Sequence, residues 1–349
     1  MAQSLAENIR VSRVTLLIGR WQRSYFADLL SISSSKIKIV DIDIENTSRS
    51  RNLWFFFGLP KVAKKIQPDI IHTSFPFPFI RSCFQVPVVA TILDLYPYEC
   101  PENFGYPQVW FNRAFLQQCV RSSDGLICVS RITLDALTNF FPRVSQRQST
   151  SVIYNVVDFS SIEPKEPDTL VDDTTPFLMT VAQHRKNKNL DMLIRAYAAL
   201  KDDDKLPSNT HLVIVGSSGP ETDKLVTLVQ TLDLEQQVQF LSGIADGELR
   251  WLYEHASALV IPSSTEGFCI PLAEALALSC PAVCSDIPIF REVGTSNCQY
   301  FQLGQQACYN LAEAIMSVLS KKTGQELSAD TRFSRSAISH QLVDFYKQL

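Results

Sequence analysis

Glu266 and Glu274 stand at the two ends of the turn in the stretch Ser263-Ser-Thr-Glu-Gly-Phe-Cys-Ile-Pro-Leu-Ala-Glu-Ala-Leu-Ala-Leu-Ser-Cys280. The apolar run Ala258–Ile261 ahead of them has strand length and composition. Pro271–Leu278 has helix composition, with proline in its first turn. The order is therefore strand, loop, helix. In an open α/β sheet such a loop lies at the carboxyl ends of the strands, where ligands bind, and the helix that follows offers free amide hydrogens to a phosphate. Gly267 admits close backbone approach. Glu266 lies before the turn and Glu274 about one turn into the helix, so one could reach a sugar and the other the ribose of a nucleotide sugar.

A second group of reactive side chains lies in Thr180-Val-Ala-Gln-His-Arg-Lys-Asn-Lys-Asn-Leu190, after another strand-like run. Arg185 and Lys188 are three apart ahead of a helix, so both can converge on one pyrophosphate, with Lys186 as a spare cation. A departing phosphate or diphosphate gathers negative charge, which a metal ion or fixed cations can stabilise. Val215-Gly216 and Leu241-Ser-Gly243-Ile244 are further strand-to-loop glycine turns.

Glu266-Gly-Phe-x-x-Pro-x-x-Glu-Ala275, followed by Pro281 and Ser285-Asp-Ile-Pro-Ile-Phe-Arg-Glu-Val-Gly294, resembles the donor-site signature of family 4 of the retaining glycosyltransferases. Lys188-Asn-Leu190 resembles that family's diphosphate motif. The resemblance implies the GT-B architecture, an α/β fold of two doubly wound Rossmann-like domains facing a central cleft. It also implies a retaining, metal-independent hexosyltransferase that needs no cofactor, with a GDP- or UDP-sugar as co-substrate and a glycan or lipid-linked acceptor. Arg185, Lys188 and the amides around Cys269–Leu272 would stabilise the leaving group. Glu266 would orient the sugar and Glu274 hold the ribose. Gly267, Phe268, Cys269, Ile270, Leu272, Gly216, Gly243 and Ile244 would line the donor.

The chain departs from the family pattern in places. Cys269 and Ser279 stand where relatives carry glycine. A changed sugar pocket is expected at the first and a modest structural cost at the second. In Thr91-Ile-Leu-Asp-Leu-Tyr-Pro97 the family's frequent His-Asp is Leu93-Asp94, which leaves Asp94 as the polar group there, for catalysis or for capping a turn. Only Gly19-Arg20 follows the first strand, where relatives have a glycine pair; these two are the acceptor-side candidates.

Length and patterning supply the elements that must hold these groups. A chain of 349 residues with 46% hydrophobic residues suits two domains. Strand-like runs at Val14–Ile18, Lys38–Ile42, Asp69–His72, Val86–Ile92 and Gly125–Val129 alternate with helical patterns, and a second alternation starts at Pro176. The expected division is a first domain over 1–158, a linker over 159–176 and a donor domain over 177–330. A helical tail over 331–349 would cross back to the first domain. Residues 1–158 carry a net +5 and residues 159–349 a net −9. A mildly basic first domain suits an anionic acceptor or membrane surface.

Nine cysteines, an odd number without Cys-x-x-Cys, argue against a disulfide framework or zinc site. Asp41-Ile-Asp43 has metal-binding spacing but lies in a strand-like segment of the first domain, so no metal is assigned. No apolar run reaches the roughly 18 residues that span a bilayer, and the amino terminus lacks a signal pattern, so a cytoplasmic location is expected. Arg49–Lys65 mixes aromatics with cations; it reads first as an amphipathic core helix interrupted by Gly58 and Pro60, and second as a peripheral membrane contact. The negative total charge and the lack of a repeated basic-aromatic motif argue against nucleic acid. The alternatives to a transferase are a nucleotide-sugar epimerase or hydrolase on the same fold and a non-catalytic sugar-nucleotide-binding scaffold.

Overall fold

The computed structural model describes residues 1–23, 34–168, 175–320 and 331–349. The chain forms two compact units, Met1–Val156 with Arg332–Leu349, and Val157–Thr331. In the first unit the strands are β1 (Val14–Gly19), β2 (Ile37–Ile42), β3 (Ile71–Thr73), β4 (Val88–Ile92), β5 (Gly125–Cys128) and β6 (Ser149–Val152). All pair in parallel, as expected, but in two ladders: β1 with β2, and β3-β4-β5-β6 in that order. The edge strand β6, Ser-Thr-Ser-Val, has one strongly apolar residue and carries no pattern that the sequence reading could detect.

Central β4 is buried on both faces, as a strand covered by helices on either side must be. Val88, Ala90 and Ile92 join a core that includes Leu59, Leu116, Cys119, Val120 and Leu137 from three covering helices. Val89 points the other way, toward Ile338, Leu342 and Phe345 of the terminal helix Arg335–Tyr346. Gly125 makes that docking possible, because a Cβ there would lie 2.9 Å from both Leu349 Cδ1 and Phe345 Cε1. His72 is enclosed between the Tyr346 hydroxyl at 2.5 Å and Thr91 Oγ1 at 2.7 Å.

The second unit holds β7 (Phe177–Val181), β8 (His211–Val215), β9 (Val238–Leu241), β10 (Ala258–Ile261), β11 (Ala282–Ser285) and β12 (Cys298–Phe301) in one all-parallel sheet, order β12-β11-β10-β7-β8-β9. Leu178, Leu212, Ile214, Val260 and Val283 build its core with Leu193, Ile194 and Tyr197 of the helix Leu190–Asp202 and with Leu311 and Ile315 of the helix Ala307–Ser320. The stretch read as a linker is fastened to this unit. Arg250 donates to the carbonyls of Phe159 and Ile162, and Lys165 N–H donates to Gly247 O at 3.0 Å. Residues 169–174 of that stretch, like 321–330 of the expected donor domain, lie outside the described residues. Among the described residues no helix is long and apolar enough to cross a membrane.

The helix Ile270–Ala277 ends in a Schellman turn. Cys280 N–H reaches back to Ala275 O at 2.8 Å, and Ser279 takes the left-handed position at φ +58°. This is the position where relatives were expected to carry glycine, and the Cβ of Ser279 is exposed there rather than buried. A non-glycine residue in this region is strained by roughly 1–2 kcal/mol, part of which glycine gives back in chain entropy. Ser279→Gly should therefore raise stability by about 0.5–1 kcal/mol, read as a higher urea midpoint at unchanged slope. A lower midpoint would contradict the strain.

Burial lowers the His72 pKa from 6.5 to about 4, so the folded chain keeps the ring neutral while the unfolded chain protonates it. Stability from this group is complete above pH 6.5 and is lost as pH falls toward 4, by about 3 kcal/mol at the lower end. Urea midpoints between pH 7 and 4 should fall more steeply for the wild type than for His72→Gln; parallel curves would contradict the assignment.

Candidate functional site

The sheet of the second unit reverses direction between β7 and β10. From β7 the chain builds outward through β8 and β9, and from β10 through β11 and β12, so the connections leave the β7–β10 pair on opposite sides. A crevice at the carboxyl ends of the two strands results, which is where open α/β sheets bind ligands. The two loops singled out by their side chains, 182–189 after β7 and 262–269 after β10, are the two that border it.

The loops are stitched together by asparagine. Asn189 Nδ2 donates to Pro262 O at 2.8 Å, Asn187 Nδ2 donates to Thr265 O at 3.2 Å, and Ser264 N–H donates to Asn187 O at 2.8 Å. Asn189 sits at φ +48°, a left-handed conformation that asparagine tolerates better than most residues. Between the two stitches, Lys188 Nζ meets Glu266 Oε1 at 2.5 Å. Their side chains are only 16% and 7% exposed. Ser263 Oγ donates to the same carboxylate oxygen at 2.8 Å, and Ser285 Oγ at the end of β11 fixes the Ser263 carbonyl at 2.5 Å. An ammonium and a carboxylate are thus held in place across the crevice, with a serine as third partner. Arg185 is half-buried at the head of the turn Lys186–Lys188, and its carbonyl accepts from Lys188 N–H at 3.0 Å.

Cys269 caps the helix Ile270–Ala277 from a left-handed conformation, φ +68°. Cysteine thus occupies a left-handed position that favours glycine, and its enclosed thiol is pushed up in pKa first by burial and then by Glu266. The amides of Cys269 and Ile270 are without an acceptor among the described residues. Those expected further on are not available: Pro271 has no N–H, and Leu272 N–H bonds Cys269 O at 3.2 Å. Phe268 and Leu272 are buried and support the loop, and Ile270 is exposed.

Glu274 is mostly enclosed, and burial raises its pKa, while a hydrogen bond from Tyr253 Oη at 2.9 Å opposes that shift. Tyr253 comes from the helix Asp246–His255 and is fully buried. Neither Tyr253 nor Ser263, Asn187 or Asn189 was singled out for a role in the sequence. Tyr253 lies in an ordinary helical pattern, whereas the asparagines flank Lys188 and could have been found as turn residues with side-chain reach.

The glycines play different parts. A Cβ on Gly216, at φ +157°, would sit 1.9 Å from Ala182 O, so this glycine lets two loops of the site touch each other. Gly243, at φ +68°, faces open space with half-buried Ile244 beside it. In the first unit, Asp94 at the end of β4 accepts from Tyr96 N–H at 3.0 Å, a turn-capping bond. Gly19 N–H donates to Gln22 Oε1 at 2.9 Å, and Arg20 is exposed, 4.0 Å from Asp43. Asp41 of the Asp-x-Asp spacing is held by Arg23 at 2.9 Å.

The model of the glycosyl transferases group 1 family matches residues 161–338, and that of Glycosyltransferase Family 4 matches residues 11–161. The O-antigen chain mannosyltransferase RfbU of Salmonella typhimurium is 32% identical over 211 residues, 60% of this chain and 55% of that protein. The chain spans about half the length of the curated relatives it matches. Sucrose-phosphate synthase from Thermosynechococcus elongatus superposes with a TM-score of 0.69 at 20% identity, covering 90% of this chain and 84% of that one. Anabaena HepE in complex with UDP and glucose superposes at 0.59 with 19% identity, covering 95% and 89%. These likenesses speak to the fold, which is that of GT-B glycosyltransferases with two Rossmann-like domains. With one family model covering more than half its length, the chain belongs to the glycosyl transferases group 1 family.

Proposed function

We propose that the chain is a retaining glycosyltransferase that moves a hexose, mannose-type, from a nucleotide-diphosphate sugar to an acceptor hydroxyl during assembly of a surface polysaccharide or glycolipid. The observation that carries the reading is the Lys188–Glu266 pair, held by asparagine stitches across the crevice where the sheet changes direction. The names of the O-antigen mannosyltransferase relatives support the sugar and the pathway; the UDP bound to HepE keeps UDP-sugars beside GDP-sugars as donors.

In the proposed reaction the bond from the sugar's anomeric carbon to the diphosphate breaks, and a bond to the acceptor oxygen forms on the same face. The acceptor proton passes to the departing phosphate. Lys188 and Arg185, with the Cys269 and Ile270 amides, stabilise the charge that develops there without a metal ion. When the diphosphate competes for the ammonium, Glu266 is released to orient the sugar hydroxyls, with Ser263 keeping its carboxylate in position. Glu274, fixed by Tyr253, holds the ribose. Asp94 is the catalytic candidate from the first unit, and Gly19 and Arg20 are the groups proposed on the acceptor side.

The test is incubation with GDP-, UDP-, ADP- and dTDP-sugars, with and without lipid-diphosphate acceptors, followed by mass spectrometry. Acceptor-dependent release of diphosphate supports the transferase. Donor consumed without acceptor means a hydrolase or epimerase, and binding without turnover means a scaffold. Lys188→Ala should lower kcat roughly 10²–10³-fold, the loss expected for one preorganised charge-stabilising group; an unchanged kcat would remove Lys188 from the chemistry. Glu274→Gln should raise the donor KM about tenfold with a smaller change in kcat, the pattern of lost ground-state binding. An equal fall in kcat and kcat/KM would instead place Glu274 at the reacting centre.

A further inference from the structure

Gly58 and Pro60 do not interrupt the aromatic-basic segment of the first unit. The α-helical segments Ser48–Leu53 and Leu59–Ile66 are joined without a break by a single π-helical turn, Trp54–Gly58. Gly58 permits it, because a Cβ there would lie 2.4 Å from Trp54 Cδ1. The wide turn also disturbs the helical ladder ahead of Pro60, where a missing N–H costs least.

One face of this helix meets the core. Leu59 is buried there with Trp54, Phe55 and Ala63 packed alongside, and the Phe55 ring stacks on Phe77 at 3.7 Å. The opposite face is exposed and has its own order. Arg49, Leu53, Phe57, Lys61 and Lys65 recur every four residues and are all exposed, which puts them on one stripe. Its centre is apolar, with Leu53 60% and Phe57 63% exposed, and its two ends are cationic. From Asn46 to Pro68 the sequence has five Lys and Arg and no Asp or Glu, within a chain of net charge −4. The core face already satisfies the helix's packing, so the exposed Leu and Phe are not needed for folding.

We infer that this stripe is a docking surface for a bilayer containing anionic phospholipid. A helix with an apolar centre lies in the interface plane, its Leu and Phe entering the acyl boundary, while lysine and arginine stems extend their charges to the headgroups. Each cation near an anionic leaflet adds attraction, and the absence of acid from Asn46 to Pro68 leaves that attraction unopposed along the helix. A nucleic-acid groove fits less well, because two large apolar side chains would occupy the centre of the footprint where phosphates need cations. The inference is independent of the donor site, since vesicle binding is read without turnover.

The test is flotation of the full chain with phosphatidylcholine vesicles and with vesicles containing about one-third phosphatidylglycerol. The wild type should float with the anionic vesicles and stay behind with the neutral ones. Leu53→Ser/Phe57→Ser should weaken the binding at least tenfold, and Lys61→Glu/Lys64→Glu/Lys65→Glu on the order of a hundredfold. A control with three exchanged charges on the second unit, Lys201→Glu/Lys205→Glu/Lys224→Glu, should bind as the wild type does. Circular dichroism and thermal midpoints establish that each variant is folded; the side chains altered in the helix are exposed, so the midpoints of the helix variants should hold. Failure of the wild type to float, equal binding to both vesicle types, or equal losses in the helix and control variants would overturn the inference.

Discussion

A lysine and a glutamate brought within 2.5 Å and largely withdrawn from water make up the interaction around which the two loops of the candidate site are built. Withdrawing two charges from solvent is expensive, and their attraction offsets the cost only when geometry is good and further hydrogen bonds complete their shells. Here the surroundings meet those conditions. Ser263 supplies another donor to the carboxylate, Ser285 holds the Ser263 backbone, and the asparagines on either side of Lys188 lock one loop to the other. Those loops are adjacent only because β7 and β10 pair in parallel with Leu178 opposite Ala258. The pairing in turn rests on the buried cluster of Leu178, Val260 and Val283 under the helix Leu190–Asp202.

The same arrangement explains why a protein would maintain such a pair. An ammonium paired with a carboxylate is preorganised: in the proposed reaction a diphosphate that displaces the glutamate would meet a cation already in position, and the glutamate it releases would already be beside the sugar. The strained Cys269 backbone belongs to this design as well. It turns the chain so that two amides without acceptors among the described residues open the helix beside the pair, at the end of a helix where anions are favoured.

Much of the candidate site was legible because it is written in consecutive residues. Glu266, Gly267 and Glu274 lie on one strand-loop-helix segment, and Lys188 immediately precedes a helix. The supports were not legible, since Tyr253 reaches Glu274 from a helix more than twenty residues earlier and Ser285 reaches Ser263 from the next strand. Central strands such as Val88–Ile92 announced themselves by largely apolar runs, whereas β6, β11 and β12 are four residues each and include polar or small side chains. The separation of β1 and β2 from the four-stranded sheet is a long-range pairing choice that local patterns do not encode. Gly58 and Pro60 misled for a physical reason: both usually break helices, but a π turn accommodates the first and relieves the second.

The central claim is that Lys188, held ready by Glu266, binds the donor's diphosphate. Calorimetric titration of nucleoside diphosphates into Glu266→Gln and into Lys188→Met/Glu266→Gln tests it most directly, because the first frees the ammonium from its carboxylate and the second removes both charges, so that the pair of variants isolates the ammonium. The account predicts that Glu266→Gln binds diphosphate at least as tightly as the wild type, the ammonium no longer being shared. The double variant should bind about tenfold to a hundredfold more weakly, the loss of one charge-assisted contact. Equal affinities in the two variants would show that the diphosphate binds elsewhere and would contradict the account.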